Sequence, residues 1–226
     1  MGGITRLTAL SYPSRLGIRQ MPPDIDASLA ALPGYPVLAG PRLQLRAPRD
    51  EDTAGVFDLF SDPAVMRYWS SAPMQDPSQA RARIEDMRAG FESRRTINWL
   101  LADAADRVIG SCTLFHFDAR HRHAEVGYAL LSSHWGRGLA AEAVALALDW
   151  GFDVLHLHRI EADIDPRNHA SRRLLQRLGF RREGLLRERF FVEGVAMDSE
   201  VHGLLAAEWR GAPHRGDDGP GSTRAA

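Results

Sequence analysis

The sequence predicts an α+β domain: a mostly antiparallel twisted sheet of about seven strands, one central βαβ crossover and about four helices. Three observations predict it. Residues 96–102, 108–117 and 124–131 are apolar and β-rich, and they are joined by short polar links. Strands so closely connected form an antiparallel meander, because a parallel pair needs a crossover of roughly a dozen residues or more. A loop carrying Gly136 and Gly138 then runs into an apolar helical stretch and a further strand at 159–164, which makes one βαβ unit. Finally, Glu193-Gly194 separates two strand-like runs at 181–191 and 197–205, the signature of a closing hairpin.

The elements follow in order. Residues 1–40 have weak periodicity and five prolines (Pro13, Pro22, Pro23, Pro33 and Pro36), so they read as a weakly structured extension to a domain at 41–210. Residues 42–46 alternate polar and apolar and read as the first strand. Asp50, Glu51 and Asp52 place acid at a helix start, and Val56, Phe57, Leu59 and Phe60 supply its buried face. Asp62-Pro63 stops it, and a short aromatic piece ends in Tyr68 and Trp69. Asp76, Pro77 and Gln79 form a cap, an N1 proline and a capping-box partner for a helix whose stripe is Ala80, Ile84, Met87 and Phe91. After the crossover, Asn168 caps a helix that ends at Gly179, with Phe180 as the apolar partner of that end. Residues 211–226 are rich in Gly, Asp and Pro and read as a disordered tail.

Composition removes several functions. A formal net charge of -1 over 226 residues offers no basic footprint for nucleic acid or membrane. No apolar run approaches the ~18 residues of a membrane span, and the first twenty residues lack the apolar stretch of a signal peptide. Cys112 is the single cysteine, so no intrachain disulfide forms; a reducing, cytoplasmic compartment is expected, with Cys112 a buried inert thiol. His116, His121 and His123 have no cysteine partner, so no metal is expected. All 28 basic side chains counted as Lys+Arg are arginine.

The glycine loop opens a helix, and free N–H groups at a helix start suit a phosphate. A P-loop NTPase is excluded, because its motif needs a lysine. Gly136-Arg137-Gly138-Leu139-Ala140-Ala141 does fit the dinucleotide fingerprint, with Glu161 downstream. However, Ser132-Ser133-His134-Trp135 separates those glycines from the strand, and a meander precedes them.

A third reading rests on residues that resemble a family. Val65-Met66-Arg67-Tyr68-Trp69, Ala124-Glu125-Val126-Gly127-Tyr128-Ala129-Leu130, Trp135-Gly136-Arg137-Gly138-Leu139-Ala140-Ala141-Glu142-Ala143, His158-Arg159-Ile160-Glu161-Ala162, Asn168-His169-Ala170-Ser171 and Leu178-Gly179-Phe180-Arg181-Arg182-Glu183-Gly184 stand in this order. Together they resemble the GNAT superfamily of acyl-CoA-dependent N-acyltransferases, over about residues 41–210. They look most like the RimJ/RimL branch, which acetylates ribosomal-protein N-termini. Trp135 departs from the superfamily pattern, which often has Gln or Arg there.

The resemblance implies a GNAT fold and acetyl-CoA as co-substrate, without a metal. The backbone of Gly136, Arg137, Gly138, Leu139, Ala140 and Ala141 would hold the pyrophosphate, with Asn168 also touching the cofactor. The main chain of Ala129, Leu130 and Leu131 would line the pantetheine arm and polarise the thioester. Glu125 would be the general base and Ser171 the donor of a proton to the thiolate. Tyr68, Trp69 and Phe190 would shape the acceptor entrance. The acceptor would be an amine-bearing small molecule or a protein N-terminus; the resemblance is also compatible with a homodimer. The alternative is a non-catalytic acyl-CoA sensor on the same fold.

Overall fold

The computed structural model describes residues 25–211. The expectations for residues 1–24 and 212–226 therefore lie outside the described residues. An eight-stranded sheet has the order β1-β2-β3-β4-β5-β6-β8-β7. Its strands are β1 (Leu38–Ala39), β2 (Gln44–Arg46), β3 (Thr96–Ala102), β4 (Val108–Asp118), β5 (His123–Leu130), β6 (Arg159–Ile164), β7 (Arg181–Val192) and β8 (Val195–Leu205). Every neighbouring pair is antiparallel except β5–β6. The seven strands expected from the sequence are present, and β1 is the eighth.

Helices cover both faces. They are α1 (Ile25–Ala30), α2 (Thr53–Ser61), α3 (Pro63–Met66), α4 (Pro77–Glu92), α5 (Leu139–Asp153), α6 (His169–Arg177) and α7 (Ala206–Gly211). The four expected helices are α2, α4, α5 and α6; α1, α3 and α7 are short additions. One core packs α5, α1 and α6 against one sheet face, and the other packs α2, α3 and α4 against the opposite face. Strand β3 shows why its sequence is a continuous apolar run. Ile97, Trp99 and Leu101 enter the first core while Leu100 enters the second, so both faces of the strand are dry.

The expected extension at 1–40 is corrected over its last part. Ile25 and Leu29 of α1 are buried in the first core, and Leu38–Ala39 pairs with β2. Tyr35 Oη accepts the Asn98 N–H at 3.0 Å and donates to the Asn98 carbonyl at 2.6 Å. Trp99 Nε1 donates to the Pro36 carbonyl. The prolines interrupt periodicity, but their neighbours carry side chains that dock on β3; periodicity cannot report such contacts.

The local signals are realised at the atoms. Asp76 Oδ1 accepts the Ser78 N–H at 2.7 Å, and the Asp76 N–H donates to Gln79 Oε1 at 3.0 Å, starting α4. Asn168 Oδ1 accepts the Ser171 N–H at 3.0 Å, starting α6. That helix ends in a Schellman motif: Phe180 N–H reaches the Leu175 carbonyl, Gly179 N–H reaches the Gln176 carbonyl, and Gly179 has φ 89°. Val192 pairs with Val195 across Glu193-Gly194, both at positive φ, as a two-residue turn requires.

Candidate active site

The parallel pair β5–β6 is joined at only three positions: His123 with Arg159, Ala124 with Ile160 and Glu125 with Glu161. Beyond Glu125 the strands part, while β5 remains paired with β4 as far as Leu130. The sheet therefore opens at its centre. A cleft of about 600 Å³ lies at this opening, and Glu125, Asn168, Ser171, Tyr68, Trp69 and Phe190 all line it. Six residues from five separate elements and loops thus meet at one place.

Strand alternation divides the cleft chemically. Val126 and Leu130 of β5 and Ile160 and Ala162 of β6 point into the α5 core, and Tyr128 packs there too. Glu125, Glu161 and Asp163 occupy the alternate positions and face the other way. Tyr128 Oη and Ser171 Oγ are 2.6 Å apart. Burial raises the Tyr128 phenol above its usual value, so it keeps its proton at neutral pH. Carboxylates thus stand on one side of the opening, and a hydroxyl pair stands on the other. Sequence reasoning singled out Ser171 but missed Tyr128. The strand pattern itself held the signal, a phenol hydroxyl among apolar neighbours in the first core.

Glu125 is half-buried and its Oε1 lies 3.0 Å from His116 Nδ1. A bulge in β4 makes this contact. Phe115 pairs with Glu125 and Asp118 with His123, so β4 carries one extra residue, and His116 takes φ 51°. The other two histidines are engaged elsewhere, His121 with Asp118 and His123 with Glu161. Asp163 is held up at about 6, first by burial and then by the charges of Glu125 and Glu161, with Arg189 acting in the opposite direction. A second bulge, between Leu186 and Phe190, brings Arg189 to 3.8 Å from Asp163. Burial pushes the Cys112 thiol up to about 12, which matches an inert core residue.

Tyr68 and Trp69 follow α3 at the cleft mouth. Trp69 also packs edge-on against Phe60 at 5.4 Å, so it braces this loop as well as lining the cleft. Tyr68 has Arg67 and Arg167 near its ring. Phe190 stands on β7, on the wall that carries Arg189.

The remaining expected residues lie outside this lining, at the end of β5 and the start of α5. Leu131 N–H donates to the Ile109 carbonyl at 2.9 Å, so this donor is engaged with β4. By alternation the Ala129 N–H also faces β4, whereas the Leu130 N–H faces the opening. Trp135, the departure from the superfamily pattern, donates its indole N–H to the Leu130 carbonyl at 2.7 Å and so anchors the loop to the strand end. Ser132 Oγ donates to Asp62 Oδ2 at 2.6 Å, fixing the same loop from the α2–α3 side.

Gly136 and Gly138 have φ 75° and 76°, a conformation that side chains resist, and a Cβ at Gly136 would meet open space. The amides of Leu139, Ala140 and Ala141 form the first turn of α5, where no intrahelical acceptor exists. Arg42 locks this cradle. Its Nε and backbone N–H bond Glu142, and Nη1 donates to the Arg137 carbonyl at 2.7 Å. Arg42 is far away in sequence and nothing local marks it. These amides, the open space at Gly136 and the nearby arginines Arg42 and Arg137 suit a pyrophosphate.

The sheet thus opens at one βαβ crossover in an otherwise antiparallel arrangement, with free amides at the start of α5, carboxylates on one side of the opening and a hydroxyl pair on the other. Residues 42–181 match the acetyltransferase (GNAT) domain family, and the chain belongs to that family. It is 38% identical over 171 residues to an uncharacterized N-acetyltransferase of Bacillus licheniformis, covering 75% of this chain and 96% of the relative. Among solved structures it resembles Mycobacterium smegmatis RimJ in complex with CoA-disulfide (TM-score 0.71, 26% identity, 77% of this chain and 89% of that one). It also resembles Vibrio cholerae spermidine N-acetyltransferase in complex with CoA and spermine (TM-score 0.67, 26% identity, 76% and 99%). The protein is an N-acetyltransferase of the GNAT fold. Among the described residues, no helix is long and apolar enough to cross a membrane.

Proposed function

We propose that the protein transfers the acetyl group of acetyl-CoA to a small primary amine that arrives as a cation. The observation that carries this reading is the division of the cleft, with the carboxylates Glu125 and Asp163 on one side and the Tyr128–Ser171 hydroxyl pair on the other. The walls supply aromatic rings from Tyr68, Trp69, Phe115 and Phe190. Aromatic and anionic walls together suit an alkylammonium group. The likeness to a spermidine acetyltransferase supports the same class of acceptor.

In this reading the pyrophosphate of acetyl-CoA sits on the amides of residues 136–141, beside Arg42 and Arg137. Asn168 caps α6 and contacts the cofactor. The pantetheine arm enters the β5–β6 opening, and the Leu130 N–H, facing that opening, polarises the thioester carbonyl. Glu125, with His116 beside it, takes a proton from the ammonium. The neutral nitrogen attacks the carbonyl carbon, the now positively charged nitrogen gives up its second proton to solvent, the C–S bond breaks, and Ser171 protonates the departing thiolate. Tyr128 returns a proton to Ser171 across their 2.6 Å contact and is itself reprotonated from solvent, so both hydroxyls end the cycle as they began. The products are an N-acetyl amide and free CoA thiol.

A second reading takes the acceptor to be a protein N-terminus, as in the RimJ/RimL branch; the likeness to RimJ supports it. One experiment tests both. Thiol release from acetyl-CoA is followed with putrescine, spermidine and alanine-initiated peptides, and the acetylated product is identified by mass spectrometry. Release with the polyamines and none with peptides is the expected result. Acetylated peptides with silent polyamines would reverse the order of the two readings.

A further inference from the structure

Five carboxylates stand in or beside the cleft, and four of them are engaged. Glu125 meets His116, Glu161 meets Arg159 and His123, Asp165 is bound by Arg167, and Asp198 accepts the Glu188 N–H. Asp163 differs. Its Oδ1 is buried and has no hydrogen-bond partner, and the nearest cation, Arg189, is 3.8 Å from Oδ2, beyond hydrogen-bond reach. Asp163 stands two residues beyond Glu161, where β6 has left β5, on the sheet face that also carries Glu125. A carboxylate set in a cleft wall without a donor is costly to keep ionised, and a cation supplying N–H groups would relieve that cost.

We propose that Asp163 is the specificity-determining residue for the acceptor: its carboxylate takes the incoming ammonium group and holds it beside Glu125 at the opening between β5 and β6. This rests on the amine-acceptor reading above. An ammonium has three N–H donors. One goes to Asp163, a second reaches Glu125, and the bond along the amine's own carbon chain points out past Tyr68 and Phe190. Asp163 selects charge and Glu125 moves the proton. The groups facing Asp163 are Glu125 on β5 with His116 behind it on β4, Glu161 on β6, Arg189 on β7 and Asp198 on β8. Burial first, and then the charges of Glu125 and Glu161 against that of Arg189, hold Asp163 at about 6, in the range where enzymes are assayed. Below about pH 6 it is neutral and its attraction for the ammonium falls away.

The test compares wild type with Asp163→Asn, which keeps the shape and removes the charge. Putrescine, spermidine and an alanine peptide serve as acceptors, and thiol release is the readout. For the acceptor that wild type uses best, Asp163→Asn should raise the amine KM about tenfold or more, the loss expected of a charge-assisted hydrogen bond. The KM for acetyl-CoA and the melting temperature should not worsen. The acid limb of kcat/KM for the amine, near pH 6 in wild type, should move to lower pH. Asp163→Glu should recover part of the affinity. An unchanged amine KM and an unmoved acid limb would overturn the role of Asp163 while leaving the acetyltransferase reading intact. Equal damage to the acetyl-CoA KM would overturn it as well, since that is what a merely structural residue would give. If wild type released no thiol with any amine, the amine-acceptor reading itself would fall.

Discussion

Truncating the Tyr128–Ser171 hydroxyl pair tests the proton-donor half of the mechanism. The two oxygens are 2.6 Å apart and Ser171 is 8% exposed. Tyr128→Phe strands the Ser171 hydroxyl and Ser171→Ala strands the Tyr128 hydroxyl, so each variant should lose roughly 1–3 kcal/mol of stability. The double variant removes both polar groups together and should lose less than the sum of the two. Activity should follow a different pattern. A positioned proton donor contributes about 10²–10⁴ to a rate, so either truncation should lower kcat by at least about a hundredfold. Because one hydroxyl acts through the other, the double variant should be no slower than the worse single variant. Steady-state thiol release gives kcat and the acetyl-CoA KM, and thermal melting gives stability. The acetyl-CoA KM should change little, since the anion cradle lies at the start of α5. Full kcat in either single variant, or losses that multiply in the double variant, would refute a shared relay.

Two further outcomes follow from other parts of the site. Gly138→Trp should abolish acetyl-CoA binding by filling the cradle, while φ 76° adds about 1–2 kcal/mol of backbone cost that the fold tolerates at this exposed position; unchanged affinity by calorimetry would remove the loop from cofactor binding. Asp163 also shapes stability against pH. Its folded value of about 6 is above the ordinary 3.8, so its ionised form destabilises the fold above pH 6, and the penalty disappears as pH falls toward the ordinary value. Asp163→Asn should therefore melt higher than wild type at about pH 8, by on the order of 1 kcal/mol once solvent screening is allowed for, and the two should converge near about pH 4. Curves that stay parallel across this range would mean that Asp163 carries no such penalty.

Local chemistry made most of the fold legible. The Asp76–Gln79 box, the Asn168 cap, the Gly179 end and the Glu193-Gly194 turn each need only residues a few positions apart, so the sequence alone marks them. The meander and the single crossover follow from link lengths and from the change of hydrophobic period. Glu125, Ser171 and the glycine loop were visible by resemblance, and the cleft brings Glu125 and Ser171 together. Sequence alone could not show that residues 25–39 belong to the domain, because their anchors, Tyr35 and the Pro36 carbonyl, bond β3 more than sixty positions away. Nor could it show Arg42 locking Arg137 and Glu142, about a hundred positions apart. Tertiary structure also decided which side of the opening each group faces. That depends on where β6 leaves β5 and on one extra residue in β4, which turns His116 toward Glu125. The same departure of β6 from β5 leaves Asp163 without a hydrogen-bonded neighbour: its environment is made by strands distant in the chain, and no local pattern encodes it.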